Sequence, residues 1–449
     1  MADDRRGRFQ AGPAPPVRAV KGRVPFLRRS PAEGRTPLTA GARRVIALNN
    51  GFQLLFNLLW WMPVFYAYQR QAGLSDAQIF GIQSLYYIAF CLFEIPTGLV
   101  ADRIGARNCL RAGAVVMTAA NLVPVLSPDY TGFLVHFLAI AAGRSLTSGA
   151  ASAYLYDALH AEGADDHYLR AEGNARALGL AAKVMCWPLV GPLMALSRPT
   201  PYLLSAVSAG ASLACAMALP RLAGAESGTR RSGVWREAGR ALRGLRGSPW
   251  LALVMVQGVA VFTLSRICQV NLFQPILIDQ GIPEPSHGSV LAAVTVAEAV
   301  GAARPQWLGR KLKPLTLVSV LSLAMAVSLA GITLGGPMAA VALLCLFSAV
   351  TGFAYPIQRK LVNDAVPPGA PRATLLSVES IIDRAVCALV AVAAGAYLSA
   401  GRMDALLWHS AAVTAAVMLA VHLAVLIGCP RPPRAAREER QEAVGHART

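Results

Sequence analysis

Twelve apolar stretches, most of about 17 to 25 residues with only one or two charges each, constrain this chain more than any other feature. An α-helix rises about 1.5 Å per residue, so each stretch is long enough to cross the hydrocarbon of a bilayer. Backbone polar groups have no water to bond there and must be satisfied inside the segment, so the stretches are predicted to be helices. The spans are read at Arg44 to Ala67, Ser75 to Leu99, Cys109 to Leu126, Tyr130 to Leu155, Ala175 to Leu196 and Pro201 to Leu219. The second set runs Trp250 to Ile276, Gly288 to Leu308, Leu315 to Leu334, Met338 to Tyr355, Ala373 to Ala400 and Met403 to Cys429. A chain of 449 residues with 55% apolar and 15% charged residues fits the same reading.

The spans divide the chain into a basic tail (1–43), six helices (44–219), a polar connector (220–249), six more helices (250–429) and a second tail (430–449). The formal net charge of +18 would suggest nucleic acid in a soluble protein, but here its placement decides its meaning. One set of segments between the spans holds both tails, Arg103, Arg107, the connector arginines (Arg230, Arg231, Arg236, Arg240, Arg243 and Arg246), Arg310, Lys311, Lys313, Arg359 and Lys360. The other set holds essentially Arg70, Arg198 and Arg402. Basic residues stay on the cytoplasmic side, so both tails and the connector are expected there. The protein is expected in the cell membrane, with the lipid bilayer rather than nucleic acid as its surroundings, and with the tails disordered against anionic lipid.

The cysteines (Cys91, Cys109, Cys186, Cys215, Cys268, Cys345, Cys387 and Cys429) lie in or beside apolar segments without metal-ligand spacing and are read as packing residues. The first forty-odd residues lack the layout of a secretory signal. No phosphate-binding loop of the G-x-x-x-x-G-K-[ST] kind, H-E-x-x-H or G-x-S-x-G is present, so the expectation is a protein without enzymatic chemistry, cofactor or metal.

The halves echo one another. MPVFYAYQRQAGLSDAQIFG after the first span resembles QPILIDQGIPEPSHGSVLAA after the seventh: a Pro, a polar turn with Gly, then a new helix. Two similar six-helix units suggest a transporter with its site between them.

GLVADRIGAR, Gly98 to Arg107, resembles the loop signature between helices 2 and 3 of the major facilitator superfamily, roughly G-x-L-A-D-R-x-G-R-K. Gly98, Ala101, Asp102, Arg103, Gly105 and Arg107 match; Val100 and Ala106 depart from it. EIPTG (94–98), SGAASAYLYDAL (148–159) and RATLLS (372–377) are similar to segments of its drug-efflux-type branch. The resemblance implies an all-α fold of twelve transmembrane helices in two bundles and secondary transport by alternating access. It also implies a gate in which Asp102 meets the start of the eleventh helix, with Arg103 and Arg107 in gating roles or in obedience to charge topology alone. The helix 4 motif of proton antiporters, about R-x-x-Q-G, is matched only by Arg144, since Gly149 stands one residue late, and in the fifth helix only Gly191 and Pro192 match.

Charges within the spans are costly and usually face a cavity or a partner. Here they are Arg144, Lys183, Arg266, Glu298, Asp383 and Arg384. In the family resembled, helices 1, 4, 7 and 10 line the cavity. That selects Asn49, Gln53 and Asn57 at intervals of four, Arg144, Arg266, Gln269, Thr351 and Tyr355 as substrate-binding candidates, with interhelical bonding as the alternative for the amides. Glu298 and Asp383 are the proton-coupling candidates, with pairing to Arg266 as the alternative for Glu298. The expected function is export of a small organic molecule by a monomer, with the proton as coupling ion. Uptake or exchange of an anionic or zwitterionic solute is a second reading, and a membrane sensor or enzyme on the same scaffold a third.

Overall fold

The computed structural model describes residues 38–222, 248–303, 312–366 and 372–427. The tails, most of the connector, Arg310 and Lys311 lie outside the described residues. So do the side chains of Asp102, Arg372, Ala373, Thr374 and Ser377, within helices whose backbone is described.

Twelve successive helices cross the molecule. The first half comprises α1 (Ala40–Asn57), α2 (Asp76–Ile104), α3 (Ala106–Leu126), α4 (Tyr130–Ala161), α5 (Asp165–Leu196) and α6 (Thr200–Ala218). The second comprises α7 (Pro249–Asp279), α8 (Glu284–Ala303), α9 (Pro314–Ile332), α10 (Pro337–Ala365), α11 (Arg372–Ser399) and α12 (Met403–Leu426). Among the described residues, α3 to α12 are each long and apolar enough to cross a membrane. A short helix, Phe65–Gln71, continues α1. The end at which α1 begins is called the near end below, and the opposite end the far end.

Local chemistry sets the helix starts. Thr39 caps α1 by accepting the Ala42 N–H at 2.9 Å, and Ser75 and Gln78 form a reciprocal capping box on α2. Pro occupies the first turn of α6, α9 and α10, where its missing N–H costs no bond.

Two helices depart from regular winding. Between α1 and its continuation the chain unwinds over 58–64, and the freed Trp60 N–H is taken by the Ser205 hydroxyl of α6 at 2.9 Å. The middle of α7 widens into a π-helix over Ile267–Leu272, which shifts the facing of Gln269 and Asn271 relative to an α-helical path.

Several boundaries differ from the sequence expectation. The segment 98–107 is not an open loop: α2 runs to Ile104, and only Gly105, at φ +79, separates it from α3. Gly supplies that left-handed conformation without a Cβ penalty. At the near end α4 continues past Leu155 to Ala161, α5 begins at Asp165 rather than Ala175, and α10 continues past Tyr355 to Ala365. These added turns carry polar residues such as Asp157, Arg170 and Gln358, so they extend the helices without extending the apolar run that hydropathy detects.

Helix α2 packs on α11 and α5 packs on α8, and these pairs join the halves. Glycines permit close approach at the far end. A Cβ on Gly288 of α8 would overlap the Trp187 carbonyl of α5, one on Gly191 would overlap Pro285, and one on Gly395 of α11 would lie 2.8 Å from the Phe80 Cβ of α2.

Candidate functional site

The hydrogen bonds that join the halves, among the described residues, reach from the far end to mid-depth. Gln71 donates to Glu284 at 2.6 Å at the far end. Below it the Gln274 side chain accepts the Tyr66 and Ala67 N–H groups at 3.0 and 3.3 Å and donates to the Met62 carbonyl at 3.0 Å, so α7 satisfies backbone that the break after α1 leaves open. Deeper, the Tyr87 hydroxyl donates to Asn271 at 2.7 Å. Arg384 of α11 then meets Glu94 of α2 at 3.0 Å, with its guanidinium 4.0 Å from the centre of the Phe90 ring and a further bond to Ser380 at 2.6 Å.

Beside this seam, Arg266 at the end of the α-helical part of α7 pairs with Asp383 of α11 at 2.8 Å. The carboxylate is almost wholly enclosed, at 4% exposure of the side chain, and its other oxygen accepts from Thr263 at 3.3 Å. Asp383 therefore has a fixed cation and a hydroxyl, the arrangement that makes a buried carboxylate tolerable.

Glu298 of α8 has different company. Gln269, in the π-helical turn of α7, donates to it at 3.1 Å and to the Ser348 hydroxyl of α10 at 3.4 Å. Among the described residues no Lys or Arg stands within ion-pair distance of Glu298, and Arg266, its expected alternative partner, is committed to Asp383. Across from it, Lys183 of α5 lies within electrostatic reach of both Glu298 and Arg144. Its ammonium sits 5.6 Å from the centre of the Trp187 ring, one turn on.

The remaining candidates separate. Asn49 is buried and its side-chain amide has no hydrogen-bond partner, whereas Asn57 donates to the carbonyl and the side-chain oxygen of Gln53 at 2.8 and 3.1 Å. Thr351 is buried and returns its hydroxyl to the Phe347 carbonyl at 2.9 Å, a bond internal to α10. Tyr355 is half-exposed and packs on Phe262, with ring centres 5.0 Å apart.

In the motif at the near end, Arg107 donates to the Met217 carbonyl at 3.3 Å, and Arg111 donates to the Ala216 and Met217 carbonyls at 3.3 and 3.1 Å. Both cations thus cover the last carbonyls of α6, where a helix leaves acceptors unpaired. Arg103 is exposed. The contact expected between Asp102 and the start of α11 lies outside the described residues.

Sequence reasoning missed Gln274, whose role depends on unwound backbone in another helix. It registered Lys183 as a charge within a span without placing it in the site.

A search of curated proteins finds no match to this chain. Among solved structures, the nucleoside transporter NupG in a mutant form aligns with a TM-score of 0.74 at 13% identity, covering 85% of this chain and 99% of that one. A POT family transporter in complex with a thioalcohol-conjugated peptide aligns with a TM-score of 0.64 at 13% identity, covering 86% and 95%. A POT family transporter in complex with 5-aminolevulinic acid gives 0.64 at 12% identity over the same shares. At such identities the likeness is one of fold. The family model described as Major Facilitator Superfamily matches residues 50–378, most of the twelve-helix body, and the chain belongs to that superfamily.

Proposed function

We propose that the chain is a proton-coupled secondary transporter that moves a small organic solute across the cell membrane by alternating access, exporting it against proton influx. The observation that carries this reading is the setting of Glu298, at mid-depth on α8 and held by the neutral amide of Gln269 rather than by a cation. A carboxyl without a permanent counter-ion is free to be protonated in one state and ionised in the other, which is what coupling demands. Asp383, tied to Arg266, is less suited to that part.

Export as the direction rests on the resemblance of EIPTG and SGAASAYLYDAL to efflux-type sequences. The solved neighbours are named for nucleosides, a peptide conjugate and 5-aminolevulinic acid, which supports a small polar cargo.

The test is proton flux in proteoliposomes of the full chain, with an entrapped pH dye and an imposed gradient. Nucleosides, dipeptides, amino acids and cationic dyes are added in turn. At least one class is expected to collapse the gradient. Glu298→Gln is expected to abolish that collapse while keeping solute counterflow; a collapse of unchanged rate in Glu298→Gln would overturn the coupling assignment.

A further inference from the structure

Arg144, Lys183 and Glu298 come from α4, α5 and α8, and the helix geometry puts them at one depth. Arg144 lies fourteen residues after Tyr130 at the far-end start of α4, and Lys183 thirteen residues before Leu196 at the far-end finish of α5. Glu298 lies fourteen residues after Glu284 at the far-end start of α8. At 1.5 Å per residue each is about 20 Å of helix from the far end.

The contacts between α5 and α8 bring two of these helices together across the halves. The Trp187 carbonyl closes on Gly288, and the Trp187 indole donates to the Leu59 carbonyl at 3.1 Å. Lys183 stands one turn nearer the centre than this closure, with its ammonium by the Trp187 ring and the charges of Arg144 and Glu298 within reach.

The charge balance is uneven. The other interior cations of the described spans have acids: Arg266 has Asp383, Arg384 has Glu94, and Arg359 has Glu379. Arg144 and Lys183 make no ion pair among the described residues, and Glu298, the carboxylate within reach of Lys183, is already hydrogen-bonded by Gln269. Two cations against one acid leave an excess positive charge at mid-depth, and interior cations are retained where something neutralises them.

We infer that Arg144 and Lys183 form the binding site for an anionic oxygen group of the transported solute, a carboxylate or a phosphate monoester. Trp187 forms its floor towards the far end, and Glu298 and Gln269 stand opposite. Arg144 supplies a planar fork and Lys183 a point charge, a pair suited to one anionic head from two sides. Arg266 has no part in this, since its charge is spent on Asp383.

This assignment rests on the transporter reading above, and the test separates the two. Purified full-length protein in detergent is melted with a panel of monocarboxylates, dicarboxylates and phosphate monoesters, each beside its methyl ester. The same compounds are then run in the proteoliposome flux assay. At least one anion is expected to raise the melting temperature by several degrees while its ester does not, and the acid type that does so identifies the head group. Lys183→Gln and Arg144→Gln are each expected to reduce that anion's apparent affinity at least tenfold, and Lys183→Arg to retain most of it. Unliganded melting curves of the variants report whether they fold. Esters that stabilise as well as acids, a panel with no stabilising anion, or well-folded Gln variants of both residues that keep wild-type affinity would each overturn the assignment. Proton-coupled flux of neutral or cationic solutes only would overturn it and leave the transporter reading intact. Anion binding without flux would have the opposite consequence.

Discussion

Arg266 meets Asp383 at 2.8 Å and so does not serve Glu298, although all three are interior charges of the second half. The consequence is a division of labour that stability measurements can read. Asp383→Asn leaves the guanidinium without its acid in a site where the carboxylate is only 4% exposed, a loss of about 1 to 3 kcal/mol for an interior charged hydrogen bond. Thermal unfolding of the detergent-solubilised protein is expected to show a drop of several degrees for Asp383→Asn, partly recovered when Arg266→Gln is added. Glu298→Gln, which keeps a partner for the Gln269 amide, is expected to stay close to wild type; equal drops for both single variants would refute the distinction.

Closure of the far end depends on a glycine. The Cβ of any larger residue at 395 would lie 2.8 Å from the Phe80 Cβ and 3.4 Å from the Ala77 Cα, so α2 and α11 would have to separate. Gly395→Val is therefore expected to populate arrangements with the far end parted. Spin labels at Leu126 and Leu334, both exposed at the far end, report the separation of the halves when placed in a background with native cysteines replaced. A longer mean distance in Gly395→Val is the expected outcome, and an unchanged distribution in a folded sample counts against it.

Among the described residues outside the membrane, Asp129 is a defined source of acid sensitivity. Asp129, in the turn before α4, has its carboxyl held below the ordinary value near 3.8, first by the Gly132 N–H and then by the Ser127 hydroxyl. A group depressed in the folded state stabilises it above the unfolded value and loses that contribution as pH falls through the folded one. The window thus opens near pH 4 and extends downward. Melting curves at pH 6 and pH 3 are expected to show a smaller acid loss for Asp129→Ala than for wild type, and a cap retained at both pH values in Asp129→Asn. The same acid loss in all three proteins would refute this.

The fold was legible because lipid leaves a segment few choices. Twelve apolar runs of sufficient length predict twelve helices, and among the described residues ten of the helices are long and apolar enough to cross a membrane. The site was legible in depth but not in partnership. Arg144, Lys183, Arg266, Glu298 and Asp383 all stand out as charges in apolar runs, yet which of them pair depends on helix rotation, and the π-helical turn of α7 alters that rotation locally. Gln274 had no signal at all, because its bonds are to backbone left open by the break after α1. The polar near-end turns of α4, α5 and α10 were invisible for a simpler reason: hydropathy measures contact with lipid, and these turns project past it.

Arg107 illustrates how a family motif residue carries a structural duty. Its bond to the Met217 carbonyl, beside those of Arg111, places positive charge at the C-terminal end of α6, a setting worth about 0.3 to 1 kcal/mol at an exposed helix end. Arg107→Gln is expected to lower the melting temperature slightly, and the double variant with Arg111→Gln to lower it further. A gating contribution would add an effect on turnover beyond that of Arg111→Gln alone, so comparing flux for the two single variants at matched protein amounts resolves the roles.

The two halves are also pinned through charge. Arg384 is gripped by two residues of α2 one turn apart, Glu94 at 3.0 Å and the Phe90 ring at 4.0 Å, and its side chain is only 15% exposed. The clamp stands at mid-depth and joins α2 to α11, the two helices whose close approach at Gly395 shuts the far end, so it is expected to favour that arrangement. Losing a charged hydrogen bond of about 1.5 kcal/mol moves a two-state equilibrium roughly tenfold. Glu94→Gln is accordingly expected to shift the Leu126 to Leu334 label distances toward the parted population by about that factor, and Phe90→Leu by less, since only the ring contact is lost. Arg384→Gln should match or exceed Glu94→Gln, and the double variant should add little to Arg384→Gln because the two residues act through one contact. Additive shifts in the double variant would mean that Glu94 stabilises the closed arrangement through some other partner.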